Sequence, residues 1–101
     1  MEFRIQATPD GKEAFLSGEL TYHDHDGFAT VVSALQETGG RRFVFDLSGV
    51  EFIDSAGLGM FLKARDAAEG KDVELVIRKP RSDVWLVMDV ARFGTLFSVE
   101  R

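Results

Sequence analysis

The chain has 101 residues, of which 45% are hydrophobic and 29% charged, with a formal net charge of −5 and no cysteine. This length supports one core of helices packed on a sheet and excludes two independent cores, so residues 1–101 are expected to form a single domain. The acidic balance counts against a binder of phosphate backbones, which needs clustered Lys and Arg, and the lack of Cys excludes disulfides, thiolate zinc ligands and thiol catalysis.

Met1-Glu2-Phe3-Arg4-Ile5-Gln6 alternates apolar and polar residues, which predicts a strand and lacks the basic start and apolar run of a signal peptide. No window approaches the roughly 20 apolar residues of a membrane span. A cytoplasmic protein with no membrane span and no direct nucleic-acid contact is therefore expected. Thr8-Pro9-Asp10-Gly11 supplies a turn, and Glu13–Leu20 reads as a second strand, antiparallel to the first because the connection is too short for a crossover.

Phe28, Val31, Val32 and Leu35 fall at i, i+3, i+4 and i+7, one stripe of an amphipathic helix, with Asp24 or Asp26 to cap its start and Gly39-Gly40 to end it. Arg42–Leu47 is a short apolar run suited to a central strand covered on both faces, followed by a turn at Ser48-Gly49-Val50-Glu51. A second helix carries Leu58, Phe61, Leu62 and Ala68 and stops at Gly70. Val73–Ile77 is the next strand, closed by Lys79-Pro80. A third helix is expected from Asp83 to Arg92, capped by Ser82 or Asp83, and Leu96–Val99 can add an edge strand. This order predicts an α/β fold, a mixed β-sheet with packed helices, in which helix crossovers make the later strands parallel.

Ser55 is the residue of most chemical interest. A Ser just before a helical stripe reads first as an N-cap, worth about 0.5–2 kcal/mol against Ala. Gly57 and Gly59 follow within the first turn, where each costs up to about 1 kcal/mol relative to Ala, so close approach of another surface is expected there, either the sheet or a partner. A phosphate on Ser55 would carry about −1.5 to −2 charges and meet unpaired N–H groups and a favourable helix dipole, leaving the fold intact while changing the charge seen by a partner.

Phe45-Asp46-Leu47-Ser48-Gly49-Val50 followed by Phe52-Ile53-Asp54-Ser55-Ala56-Gly57-Leu58-Gly59 resembles the signature of STAS domains, in particular the bacterial anti-sigma factor antagonists. The resemblance covers essentially the whole chain and implies a STAS fold for residues 1–101. It also implies that Ser55 is phosphorylated by an anti-sigma factor with serine kinase activity and dephosphorylated by a serine phosphatase. The unphosphorylated form would sequester the anti-sigma factor and release sigma. Asp54, Ala56, Gly57, Leu58 and Gly59 would form the adjacent contact surface. Many members carry an Asp just after the Gly-x-Leu of the second strand. Here Gly18-Glu19-Leu20 is followed by Thr21, and Asp24 is the residue expected to take that place in the partner contact or to cap the helix. No cofactor is implied, since ATP would belong to the kinase.

Two other readings remain in view. One is a binding module of the same fold that regulates a transporter or a signalling enzyme without sigma-factor involvement. The other is a metal site at His23-Asp24-His25-Asp26, whose contiguous ligands are poorly spaced to enclose one ion, so no metal is expected. In the third helix Val84, Val87, Met88 and Ala91 form a core stripe that leaves Leu86 and Val90 on the far side. Trp85 lies on its flank, either packed on its own domain or at a partner surface. No nucleophile, base and acid assemble into an enzyme constellation, and no phosphate-binding loop is present.

Overall fold

In the computed structural model, which describes residues 1–37 and 39–101, the two N-terminal runs pair as the alternation requires. Strand β1 (Glu2–Thr8) turns back at Pro9-Asp10 into β2 (Gly11–Leu20), in an antiparallel register from Glu2 opposite Ser17 to Thr8 opposite Gly11. A 3-10 turn at Tyr22–Asp24 leads into α1 (His25–Gln36). Then follow β3 (Arg42–Ile53), α2 (Ser55–Ala67), β4 (Glu74–Arg78), α3 (Ser82–Val90), the single turn α4 (Phe93–Leu96) and β5 (Ser98–Glu100). The strand order across the sheet is β1-β2-β3-β4-β5, and every pair after the first is parallel.

Each parallel connection carries its helix back over the same face of the sheet. Phe28 and Leu35 of α1, Phe61 and Ala64 of α2, Val84 and Met88 of α3 and Phe93 of α4 enter one cluster with Phe43, Phe45, Leu47, Leu75 and Ile77. Phe61 stands at its centre, its ring 5.1 Å from that of Phe28, 5.2 Å from Phe45 and 6.2 Å from Phe93.

Period-2 alternation sends the intervening strand residues to the opposite face, where Val44 pairs across to Val76. Both valines are buried although they lie outside the helical cluster. The residues around them on that face are charged and linked. Arg78 bridges Glu13 of β2 and Glu100 of β5, and Arg42 of β3 reaches Glu74 and Glu100. Four strands are thus tied by side chains on the face that the helices leave.

The structure corrects the expected strand boundaries in two places. Ser48-Gly49-Val50-Glu51 is not a turn; β3 runs on through it to Ile53 because β2 continues beside it as far as Leu20. The register shifts between Phe15 and Ser17 and between Gly18 and Glu19 absorb the mismatch, and Gly18 adopts φ 85°, a left-handed value that glycine takes without steric cost. The second correction is at the C-terminus, where α4 intervenes and β5 begins two residues later than expected.

Candidate functional site at the carboxyl edge of the parallel strands

Because β2, β3 and β4 run parallel, their carboxyl ends at Leu20, Ile53 and Arg78 lie along one side of the sheet, and the 3-10 turn, α2 and α3 all start there. In open α/β sheets this is the side on which sites are built. β3 projects beyond the end of β4, so residues 51–53 stand between the start of α2 and the first turns of α3.

The cap of α2 is Asp54 and not Ser55. Asp54 has extended backbone angles, and its Oδ1 accepts the Gly57 N–H at 2.8 Å while its carbonyl oxygen accepts the Leu58 N–H at 3.0 Å. The Asp54 N–H in turn donates to the Leu20 carbonyl oxygen at 3.2 Å, fixing the helix start to the end of β2. Ser55 is the first helical residue and its side chain is exposed. Its hydroxyl is therefore spared from capping.

The two glycines of this turn differ. A Cβ on Gly57 would come within 2.5 Å of the Leu20 carbonyl oxygen and 2.7 Å of the Ile53 side chain, so the close approach made there is to the chain's own strands. At Gly59 a Cβ would meet nothing within 4 Å, leaving open space above the helix. Ala56 and Leu58 are half-buried on either side.

The 3-10 turn packs against α2 and carries Asp24. Asp24 Oδ2 accepts the Thr21 N–H at 2.8 Å and the Thr21 hydroxyl at 3.3 Å, while the Thr21 hydroxyl accepts the His23 N–H at 3.4 Å, a reciprocal capping box. Asp24 Oδ1 accepts from the Met1 ammonium at 2.6 Å. Burial pushes this carboxyl up, but the hydrogen bonds from Met1 and Thr21 outweigh it and hold Asp24 below the ordinary carboxylate range. Asp24 precedes α1 without a side-chain bond to it, so it stabilises the turn and not the helix. Sequence reasoning missed Tyr22, which is 74% exposed on this turn; its apolar character in a polar stretch was the available signal. Among the described residues, no three His, Asp or Glu side chains gather as a metal-ligand set.

On α3 only Val84 and Met88 are buried. Val87 and Ala91, expected in the core stripe, are exposed, because α3 ends at Val90 and touches the core along a narrower line than the pattern implied. Trp85 is half-buried against the core, with the Arg101 guanidinium 5.3 Å over its ring. It packs on its own domain.

A five-stranded mixed sheet with its helices on one face, and three helical segments starting together at the carboxyl edge, is the architecture of a STAS domain. The family model described as "Mlab, STAS domain" matches residues 4–98, and the chain belongs to the STAS-domain family. It is 29% identical to a STAS-domain containing protein of Pseudomonas aeruginosa, over 94% of this chain and 97% of that one. It is 30% identical to the anti-sigma-B factor antagonist of Staphylococcus aureus, over 76% of this chain and 73% of that one. The solved structure of the anti-sigma factor antagonist SpoIIAA in its unphosphorylated form superposes with a TM-score of 0.81 at 19% identity, covering 99% of this chain and 89% of that one, and shows the same fold. Among the described residues no helix is long and apolar enough to cross a membrane.

Proposed function

We propose that this protein is an anti-sigma factor antagonist that regulates transcription by partner switching in the cytoplasm. Its unphosphorylated form binds an anti-sigma factor with serine kinase activity. Phosphorylation of Ser55 releases that partner, and a serine phosphatase restores the binding form. The observation that carries this reading is the division of labour at α2: Asp54 caps the helix, so the exposed Ser55 hydroxyl is available for modification. The relationship to the anti-sigma-B factor antagonist supports the choice of partner.

In this reading Ala56, Leu58 and Gly59 contact the partner beside Ser55, the open space over Gly59 admitting a close surface. Asp54, Gly57 and Asp24 hold that surface in shape, through the cap, the packing on Leu20 and the Thr21 box respectively. The protein acts by binding and is the substrate of the kinase, not itself an enzyme. A phosphate added at a contact matched to a neutral hydroxyl must be desolvated without a designed counter-charge, and each 1.4 kcal/mol so lost is about tenfold in affinity.

The test is affinity capture from cells of the source organism with wild-type protein, Ser55→Ala and Ser55→Asp, partners being identified by mass. Ser55→Ala is expected to retain an ATPase-fold partner that Ser55→Asp loses, and incubation with that partner and ATP should add one phosphate to the wild-type peptide containing Ser55. Equal recovery by all three proteins would remove the switch.

A further inference from the structure

The strongest unexplained surface lies beside this site, on the other flank of the β3 end. Phe52 is 50% exposed, and on α3 Leu86 and Val90 are 64% and 80% exposed with Val87 between them. Leu86, Val87 and Val90 fall at i, i+1 and i+4, one stripe of the helix. Phe52, Ile53, Val84 and Val87 together line a groove of about 180 Å³ between the strand end and the helix. An exposed apolar strip of this kind marks a contact surface.

The charges around the groove narrow its occupant. Glu51 and Asp83 line it, and both are exposed. The nearest basic residue before the helix, Arg81, donates from Nε to the Ser48 carbonyl oxygen at 3.0 Å. Arg92 lies beyond the far end of α3. A second copy of this chain would bring the same acids face to face, on molecules that each carry a net charge of −5. A partner segment with an apolar side chain for the groove and Lys or Arg on its flanks satisfies both the apolar floor and the acidic rim.

We propose that this groove is a second contact for the anti-sigma factor, receiving an apolar side chain flanked by basic residues while the α2 corner supplies the contact governed by Ser55. The proposal rests on the functional reading above and adds the surface and the chemistry of the segment that meets it. Glu51–Ile53 lead directly into Asp54 and Ser55, so the groove and the serine corner form one continuous face along the end of β3. Specificity and residence then come from the groove, and phosphate control from the corner.

The experiment is calorimetric titration of the purified anti-sigma factor, obtained by the capture above, into wild-type protein, Leu86→Glu, Val87→Glu and Glu51→Lys/Asp83→Lys. Leu86 is exposed enough that its variant keeps the fold, which thermal denaturation checks, so failure of Val87→Glu to fold would not end the test. Each apolar variant should weaken binding at least tenfold. The charge reversal should weaken it most at low salt and flatten its salt dependence. If the wild type binds and the Leu86 and charge-reversal variants bind equally well, the groove is not a contact, while the functional reading stands. If the wild type binds no anti-sigma factor, the functional reading itself fails. If sedimentation shows the wild type to be a dimer that Leu86→Glu dissociates, the occupant is a second copy and the proposal is overturned.

Discussion

At Asp54 and Ser55 two adjacent oxygen-bearing side chains have separate duties, and their variants should separate as well. Asp54→Ala removes the acceptor of the Gly57 N–H and leaves the first turn of α2 uncapped, for an expected loss of about 0.5–2 kcal/mol. Ser55→Ala removes an exposed hydroxyl with no capping role and should change stability by no more than about 0.5 kcal/mol. Urea unfolding of the two variants checks this, and a larger loss at Ser55 than at Asp54 would reverse the assignment. The sequence pointed to the right pair because a helical stripe begins just after it, yet it could not order them. Asp and Ser are both good caps, and the choice depends on the Asp54 N–H reaching the Leu20 carbonyl, a contact across 34 positions of chain. Gly57 was legible as a close approach for the same reason that its partner was not: a missing Cβ states that something is near, and only the fold states that it is Leu20 and Ile53.

Among the elements, the helices and the central strand were readable from periodicity, whereas the length of β3 and the ties across the sheet were not. Ser48-Gly49 has turn composition, and the strand continues there only because bulges in β2 keep a partner beside it. The ion pairs joining Glu13, Arg78, Glu100, Arg42 and Glu74 depend on strand register, which a one-residue slip would destroy. They carry a pH signature. The hydrogen bond from Arg78, aided by Arg42, holds Glu100 below the ordinary Glu range against a smaller opposing effect of desolvation. A carboxyl lowered on folding stabilises the native state above its unfolded value and loses that contribution as pH falls through the lowered one. Asp24 is lowered too and adds to the same trend. The three-residue β5, joined to β4 at the sheet edge, should therefore loosen on acidification. Stability measured by urea titration from neutral pH down to about pH 3 should fall less steeply in Glu100→Gln than in wild type. Parallel curves would show that Glu100 is not held by its arginines.

For the molecule as a whole, the proposed partner switching requires that a phosphate change the surface without melting the domain, and the packing of α2 is compatible with that requirement. Phe61, two turns from Ser55, is fully buried among Phe28 of α1, Phe45 of β3, Phe93 of α4 and Phe97, so α2 is held by every layer of the core. Removing such a ring costs about 3–5 kcal/mol, a large share of the 5–15 kcal/mol that holds a domain of this size together. A phosphate at the helix start acts on a smaller scale. Attraction to the N-terminal end of α2 is worth about 0.3–1 kcal/mol and is opposed by the neighbouring Asp54 carboxylate. Protein phosphorylated at Ser55 should accordingly unfold within about 1 kcal/mol of the unmodified form, with the same cooperativity, while its affinity for the anti-sigma factor falls by orders of magnitude. Parallel urea unfolding and binding titrations of the two forms measure both quantities. Loss of binding accompanied by an equal loss of stability would mean that the phosphate acts by unfolding the corner, and then the Asp54 cap, rather than the contact beside Ser55, would be the element on which the switch operates.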